Sequence, residues 1–193
     1  MLKKLLILLI INFSIQSLAK ADDIKDFEIE GMSIGDSLLD HYSEEEIKNP
    51  SGGMYKYEES DKFYHIGFKS SGKYNRLTVT VKKNDSSYKI YQVGGDITPM
   101  NIKDCHSLKK EIDLEILQMF KNKIHKDVDD FKTNIDKTGE SIFYTIKYIF
   151  ESKDIIVLQC KDYGKTIGYN DALLLDIASK EFQEWLTNEV YKY

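Results

Sequence analysis

The chain has 193 residues, a net charge of −5 and one arginine, Arg76, among its 27 lysines and arginines. That balance argues against nucleic acid, whose phosphates call for a basic face, and the lack of an arginine cluster argues against bidentate capture of phosphate or carboxylate groups. Thirteen tyrosines and nine phenylalanines supply large apolar area, enough for one domain with a real core at this length.

The chain begins with Met1-Leu-Lys-Lys4, an apolar run from Leu5 to Ile11, and Asn12 to Ala21. These read as the basic region, the hydrophobic region and the small-residue cleavage site of a signal peptide. Ala19-x-Ala21 fits cleavage before Asp22, with Ser17-x-Ala19 as the alternative site and an uncleaved anchor as the alternative fate. The run is shorter than the about 20 residues a membrane crossing takes. No later segment is apolar enough to cross, and no cysteine at the cleavage point suggests a lipid anchor. The expectation is a signal peptide over residues 1–21 and a single α+β domain over 22–193, periplasmic or secreted. Removing residues 1–21 takes away Lys3, Lys4 and Lys20 and no acid, which shifts the net charge from −5 to −8.

From Ser33 the spacing predicts two short helices. Ser33 and Asp36 resemble a capping box, and Ser43 with Glu46 forms a second. Ile34, Leu38, Leu39 and Tyr42 share a face, and Asn49-Pro50-Ser-Gly-Gly53 stops the pair. Strands follow: Met54 to Glu58 at an edge, then Tyr64, Ile66 and Phe68 in alternation, then Leu77, Val79 and Val81. Lys83 to Ser87 is turn chemistry, and Tyr88 to Gly94 returns as a strand. Thr98-Pro99 and Asn101-x-x-Asp104 announce a helix with proline in its first turn. Its stripe is Cys105, Leu108, Ile112, Ile116, Met119 and Phe120. Residues 123–140 read as a charged loop. Ile142 to Phe150 and Ile156 to Cys160 alternate as a hairpin. Leu173, Leu175 and Ile177 make a last strand, and Ser179 caps a final helix with Phe182, Trp185 and Leu186. The fold class is α+β: an antiparallel meander sheet with helices packed on one face, an N-terminal short helix pair and a C-terminal helix.

Cys105 and Cys160 both lie on apolar faces of an exported chain, which predicts a disulfide between them, with two separate buried thiols as the alternative. Other constellations read as scaffold. Gly31-x-x-x-Gly35 lacks the ending of a phosphate loop and is flanked by Glu30 and Asp36. His41, beside Asp40 and Glu44 to Glu46, suits a helix start better than a metal. His65, His106 and His125 have no ligand-type spacing. The acidic run Asp127 to Asp136 lacks the glycine and glutamate of a calcium loop, which Lys132 and Thr138 replace. No Gly-x-Ser-x-Gly elbow is present, and Tyr88 and Tyr91 read as sheet packing, with an aromatic binding patch as the alternative.

The piece "GMSIGDSLLDHYSEEEIK", followed by a meander and a "DCHSLKKEI" helix, resembles uncharacterised small exported proteins of AT-rich proteobacteria. Its opening is also similar to the SmpA/OmlA-type envelope domain and to the β-lactamase-inhibitor-protein-like fold, which start with a Gly-Met-Ser/Thr helix-turn-helix before a meander. Their helix pair leaves through Leu-Gly-x-Pro, where this chain has Asn49-Pro-Ser-Gly-Gly53. The resemblance spans the first third of the exported part and carries over no functional residue. The functional expectation is a non-enzymatic module that binds a protein or envelope component, with no cofactor or metal. A small-ligand binder or an unrecognised hydrolase is the alternative.

Overall fold

The computed structural model describes residues 23–70 and 72–191; the expected signal peptide over residues 1–21 lies outside them. Among these residues eight strands form one antiparallel sheet. They are β1 (Met54–Lys56), β2 (Phe63–Lys69), β3 (Arg76–Lys82), β4 (Gln92–Ile97), β5 (Ile124–Lys132), β6 (Ile142–Phe150), β7 (Ile155–Asp162) and β8 (Ala172–Ala178). Their order across the sheet is β1-β2-β3-β4-β8-β7-β6-β5. Two four-stranded meanders therefore start at opposite edges and meet through their last strands. At that seam Gln92 stands opposite Ala178 and Ile97 opposite Leu173. The pairing between halves was not readable from the sequence, because it joins strands far apart along the chain.

Three helices accompany the sheet: α1 (Glu44–Lys48), α2 (Ile102–Met119) and α3 (Lys180–Trp185). Short 3-10 turns occur at Ile24–Asp26 and Leu38–Asp40, and a π turn, Leu186–Val190, follows α3. The α+β class, the meanders and the terminal helices agree with the sequence reading. α1 starts with a full capping box: the Ser43 N–H donates to Glu46 Oε2 at 2.9 Å and the Glu46 N–H to Ser43 Oγ at 3.3 Å.

The first of the two expected N-terminal helices is reduced to the turn Leu38–Asp40, whose cap is Ser37. Only half of the Ser33 box forms: the Ser33 N–H donates to Asp36 Oδ2 at 2.8 Å, while the buried Ser33 Oγ has no partner. Gly35, at φ +97°, sits in left-handed space and its N–H donates to the Ile90 carbonyl. A helix cannot run through that conformation, so the chain turns here instead.

α2 follows its sequence reading more closely. The Asp104 N–H donates to Asn101 Oδ1 at 3.0 Å, and Cys105, Ile112 and Ile116 form the buried stripe. Pro99 lies before the helix rather than in its first turn. Cys105 and Cys160 are joined by a disulfide with Cα atoms 5.9 Å apart, which fastens α2 to β7.

Residues 123–140, expected as a loop, contain β5. It pairs with β6 along its whole length, from Ile124 opposite Phe150 to Lys132 opposite Ile142. An edge strand with solvent on both faces has no apolar alternation to betray it. The nearest side-chain tie is Lys126, whose Nζ lies 2.7 Å from both Asp113 oxygens on α2. Asp113 in turn accepts from the buried Tyr148 hydroxyl of β6 at 2.7 Å.

The main core lies between one face of the sheet and the layer made by α2 and the N-terminal turns. It gathers Ile34, Leu38 and Ile47 with Ile66, Val79, Val93, Ile177 and Leu158. Tyr42 stacks on Phe68 with ring centres 3.8 Å apart. A second, smaller cluster uses strand positions of the opposite parity, Phe63 and Ala178, with Phe182, Trp185 and Val190 of the C-terminal segment. That segment folds back over one end of the sheet and leaves the rest of this second face without a helix.

Candidate functional site

Strand alternation sends Phe63 and His65 of β2, Thr80 of β3, Gln92, Gly94 and Asp96 of β4, and Asp176 of β8 to the face opposite the main core. Where α3 covers this face, its polar groups form one chain of hydrogen bonds across four strands. Tyr57 Oη lies 2.6 Å from His65 Nε2, and His65 Nδ1 2.5 Å from Thr80 Oγ1. Thr80 donates to Gln92 Oε1, and Gln92 Nε2 donates to Asp176 Oδ1.

When Asp176 is ionised, the donor inventory fixes the direction of that chain. Asp176 as a carboxylate only accepts, so Gln92 must turn its amide nitrogen toward it and its oxygen toward Thr80. Thr80 then spends its proton on Gln92 and accepts from His65 Nδ1–H. His65 Nε2 is left to accept from the Tyr57 hydroxyl. Every donor points toward Asp176.

Gly94 makes this arrangement possible. A Cβ there would stand 2.6 Å from Asp176 Oδ1 and 3.2 Å from Gln92 Nε2. The next residue, Gly95, faces the other way and leaves room for the Tyr74 ring.

Burial shapes the charges in the relay. It holds His65 down to about 4, with Arg76 adding to the effect. It pushes Asp176 up to about 7, against the opposing pull of Gln92 and Lys161 and with some help from Asp96. Burial likewise raises Tyr57 well above its usual range. The rings of Tyr57, Phe182 and Trp185 wrap the His65 end: Tyr57 lies 5.1 Å from His65 and 5.0 Å from Trp185. Thr80 beside an imidazole superficially resembles a nucleophile and its base. However, Thr80 is fully buried and its proton is committed to Gln92, so it is not presented to a substrate.

Beyond α3 no helix among the described residues covers this face. Lys161 Nζ crosses β8 to lie 3.5 Å from Asp96 Oδ1, and Gln159 donates to Thr145 at 2.7 Å. At the far end stands a row of four rings. Phe131 of β5 meets Phe143 of β6 at 5.7 Å, Phe143 meets Tyr163 at 5.3 Å, and Tyr163 meets Tyr169 at 5.3 Å. Phe143 is the buried floor, while Phe131 and Tyr169 are 40% and 62% exposed.

The residues weighed as sites from the sequence take structural places. Among the described residues no group of three metal-ligating side chains converges. His106 packs edge-on against Tyr144 at 4.7 Å, and His41 and His125 are exposed. Asp136 is engaged by its own loop, accepting from the Thr138 and Ser141 hydroxyls at 2.7 Å each. These bonds hold its carboxyl well below the usual range. Tyr91 is buried against Phe63 at 5.1 Å, in keeping with the packing reading.

A cleft of about 410 Å³ between Lys25, Lys89 and the start of α3 carries charges of both signs. Its acids are occupied: Asp154 accepts from the Lys180 N–H at 2.7 Å, and Glu181 pairs with Lys82 at 2.7 Å. Neither the relay nor the ring row was seen in the sequence. The missed signal was that His65, Thr80, Gln92 and Asp176 occupy the outward positions of strands while the final helix carries Phe182 and Trp185.

No family model and no curated protein matches the chain. The solution structure of the cyanobacterial PsbP protein CyanoP from Synechocystis sp. PCC 6803 is similar at a TM-score of 0.33 and 11% identity. The similarity covers 69% of this chain and 82% of that one. A likeness of that size assigns neither a fold family nor a role.

Proposed function

We propose that the protein is an exported, non-catalytic module that binds a protein or envelope component through the open face of its sheet. The observation that carries the reading is the row Phe131, Phe143, Tyr163 and Tyr169, a contiguous aromatic strip at the uncovered end of that face. Exposed apolar patches rimmed by polar residues mark interaction surfaces, and aromatic residues are enriched in them. The Cys105–Cys160 bridge supports an oxidising compartment, as do the basic and apolar regions at the start of the sequence.

The test is crosslinking in the native cell envelope with identification of what is captured. The wild type yields a specific partner, and the double variant Phe131→Ala, Tyr169→Ala loses it while remaining folded. Equal capture of that partner by the folded double variant refutes the reading.

A further inference from the structure

We infer that the outer edge of β5 accepts an extended basic segment of a partner as a ninth strand, with lysine or arginine at alternate positions. The inference rests on the binding-module reading and names the partner chemistry at the border of the same face.

β5 is the last strand in the order, and its nine residues pair on one side only. Among the described residues, alternate N–H and C=O groups along its outer side are therefore unpaired, which makes a template for strand addition. At the opposite edge β1 has three residues, too few to hold a guest strand. His125 and Asp127 to Lys132 are all exposed, so nothing among the described residues covers the β5 edge.

Its charge selects the guest. Asp127 and Asp129 lie on the ring-row side in line with Phe131, and neither makes an ion pair among the described residues. Lys126 does not offset them, because Asp113 holds it on the other side. Lys147 stands beside Asp127 on β6 but beyond ion-pair distance of it.

A second copy of this chain fits poorly. Antiparallel pairing centred on Val128 sets Asp127 opposite Asp129. Centring it on Asp129 sets that residue opposite its own copy. Like charges directly opposite one another destabilise a pair. An antiparallel guest with an apolar residue facing Phe131 and lysines facing Asp129 and Asp127 meets a matching side chain at each position.

The probe is an acetylated, amidated peptide, Thr-Thr-Val-Thr-Lys-Thr-Lys-Thr-Thr, titrated against the mature protein at low salt. Two further peptides carry N-methyl groups at either the odd or the even positions. Strand addition predicts that one of the two loses binding at least tenfold and the other keeps it, since only one set of N–H groups faces β5. Asp127→Lys with Asp129→Lys weakens the lysine peptide at least tenfold and makes the protein prefer the same peptide with glutamates.

Equal binding of both methylated peptides shows mere charge attraction and overturns the inference. So does failure of the lysine peptide to bind folded protein at 1 mM, or dimerisation of the protein that the double variant abolishes. If the peptide fails while capture in the envelope still depends on Phe131 and Tyr169, the edge is refuted and the open face stands.

Discussion

Gln92 donates its side-chain amide to Asp176 across the seam between β4 and β8, so the two meanders are joined by a side-chain bond as well as by main-chain pairing. The bond is the last link of a relay that begins at Tyr57, just after β1, and passes through β2 and β3. A fully satisfied polar network inside a low-dielectric layer specifies register, because any slip leaves a buried group unpaired.

The relay makes a paired prediction about pH. Asp176 titrates at about 7 in the native state against an ordinary value of 3.8, so the native state holds its proton more tightly. Between about pH 4 and 7 this makes stability fall as pH rises. His65 is the opposite case, at about 4 against 6.5. Through that window it is neutral when native and charged when unfolded, so stability rises with pH. The two oppose each other in the wild type. Asp176→Asn therefore makes the stability slope from pH 4.5 to 6.5 more positive, and His65→Gln makes it more negative. Each change is on the order of 1 kcal/mol per pH unit. Urea unfolding across the window measures both, and unchanged slopes would rule the coupling out.

Gly94 is expected to tolerate no side chain while Asp176 is present. Gly94→Ala places a methyl group 2.6 Å from Asp176 Oδ1 and costs ~1–3 kcal/mol. In an Asp176→Ala background the obstacle is gone, and the same change costs less than half as much. Equal costs in both backgrounds would show that the glycine serves some other purpose.

The bridge between Cys105 and Cys160 spans a sequence separation of 55, which corresponds to about 4 kcal/mol in the chain-entropy model. Replacing both cysteines with alanine lowers the urea midpoint accordingly and leaves the fold intact, because the α2 stripe and β7 still pack. Thiol labelling of the denatured, unreduced protein finds no free cysteine; two labelled thiols would contradict the bridge.

Trp185 is the chain's one tryptophan, and its Nε1–H donates to Ser60 at 3.0 Å. Trp185→Ala empties the second cluster and costs ~3–5 kcal/mol. Because the emission of this residue reports α3 docking alone, a native spectrum already at the wavelength of exposed tryptophan would refute the packing over Phe63 and His65.

The sequence made legible whatever rests on one-sided burial. Val79 and Val81 alternate because one face of β3 is in the core, and Cys105, Ile112 and Ile116 recur because α2 lies on that core. The Ser43–Glu46 and Ser179 caps were legible for a different reason, since a cap is local chemistry. β5 was not legible: His125 to Lys132 lie almost wholly in solvent, so their identity as a strand comes from β6 and not from their own pattern. The helix expected from Ser33 does not form, because Gly35, bonded to Ile90, sits in left-handed space that a helix cannot pass through.

By itself, then, the sequence determined the elements that face a core, the cysteine pair on two apolar faces and the acidic charge that discounts nucleic acid. Only the tertiary structure decided how the meanders meet, which outward polar residues join into one relay and which aromatic residues are left uncovered. The physical reason is range. Periodicity and capping are set by neighbours a few residues apart, while the bonds from Tyr57 to Asp176 and the row from Phe131 to Tyr169 exist only once strands distant in sequence lie side by side.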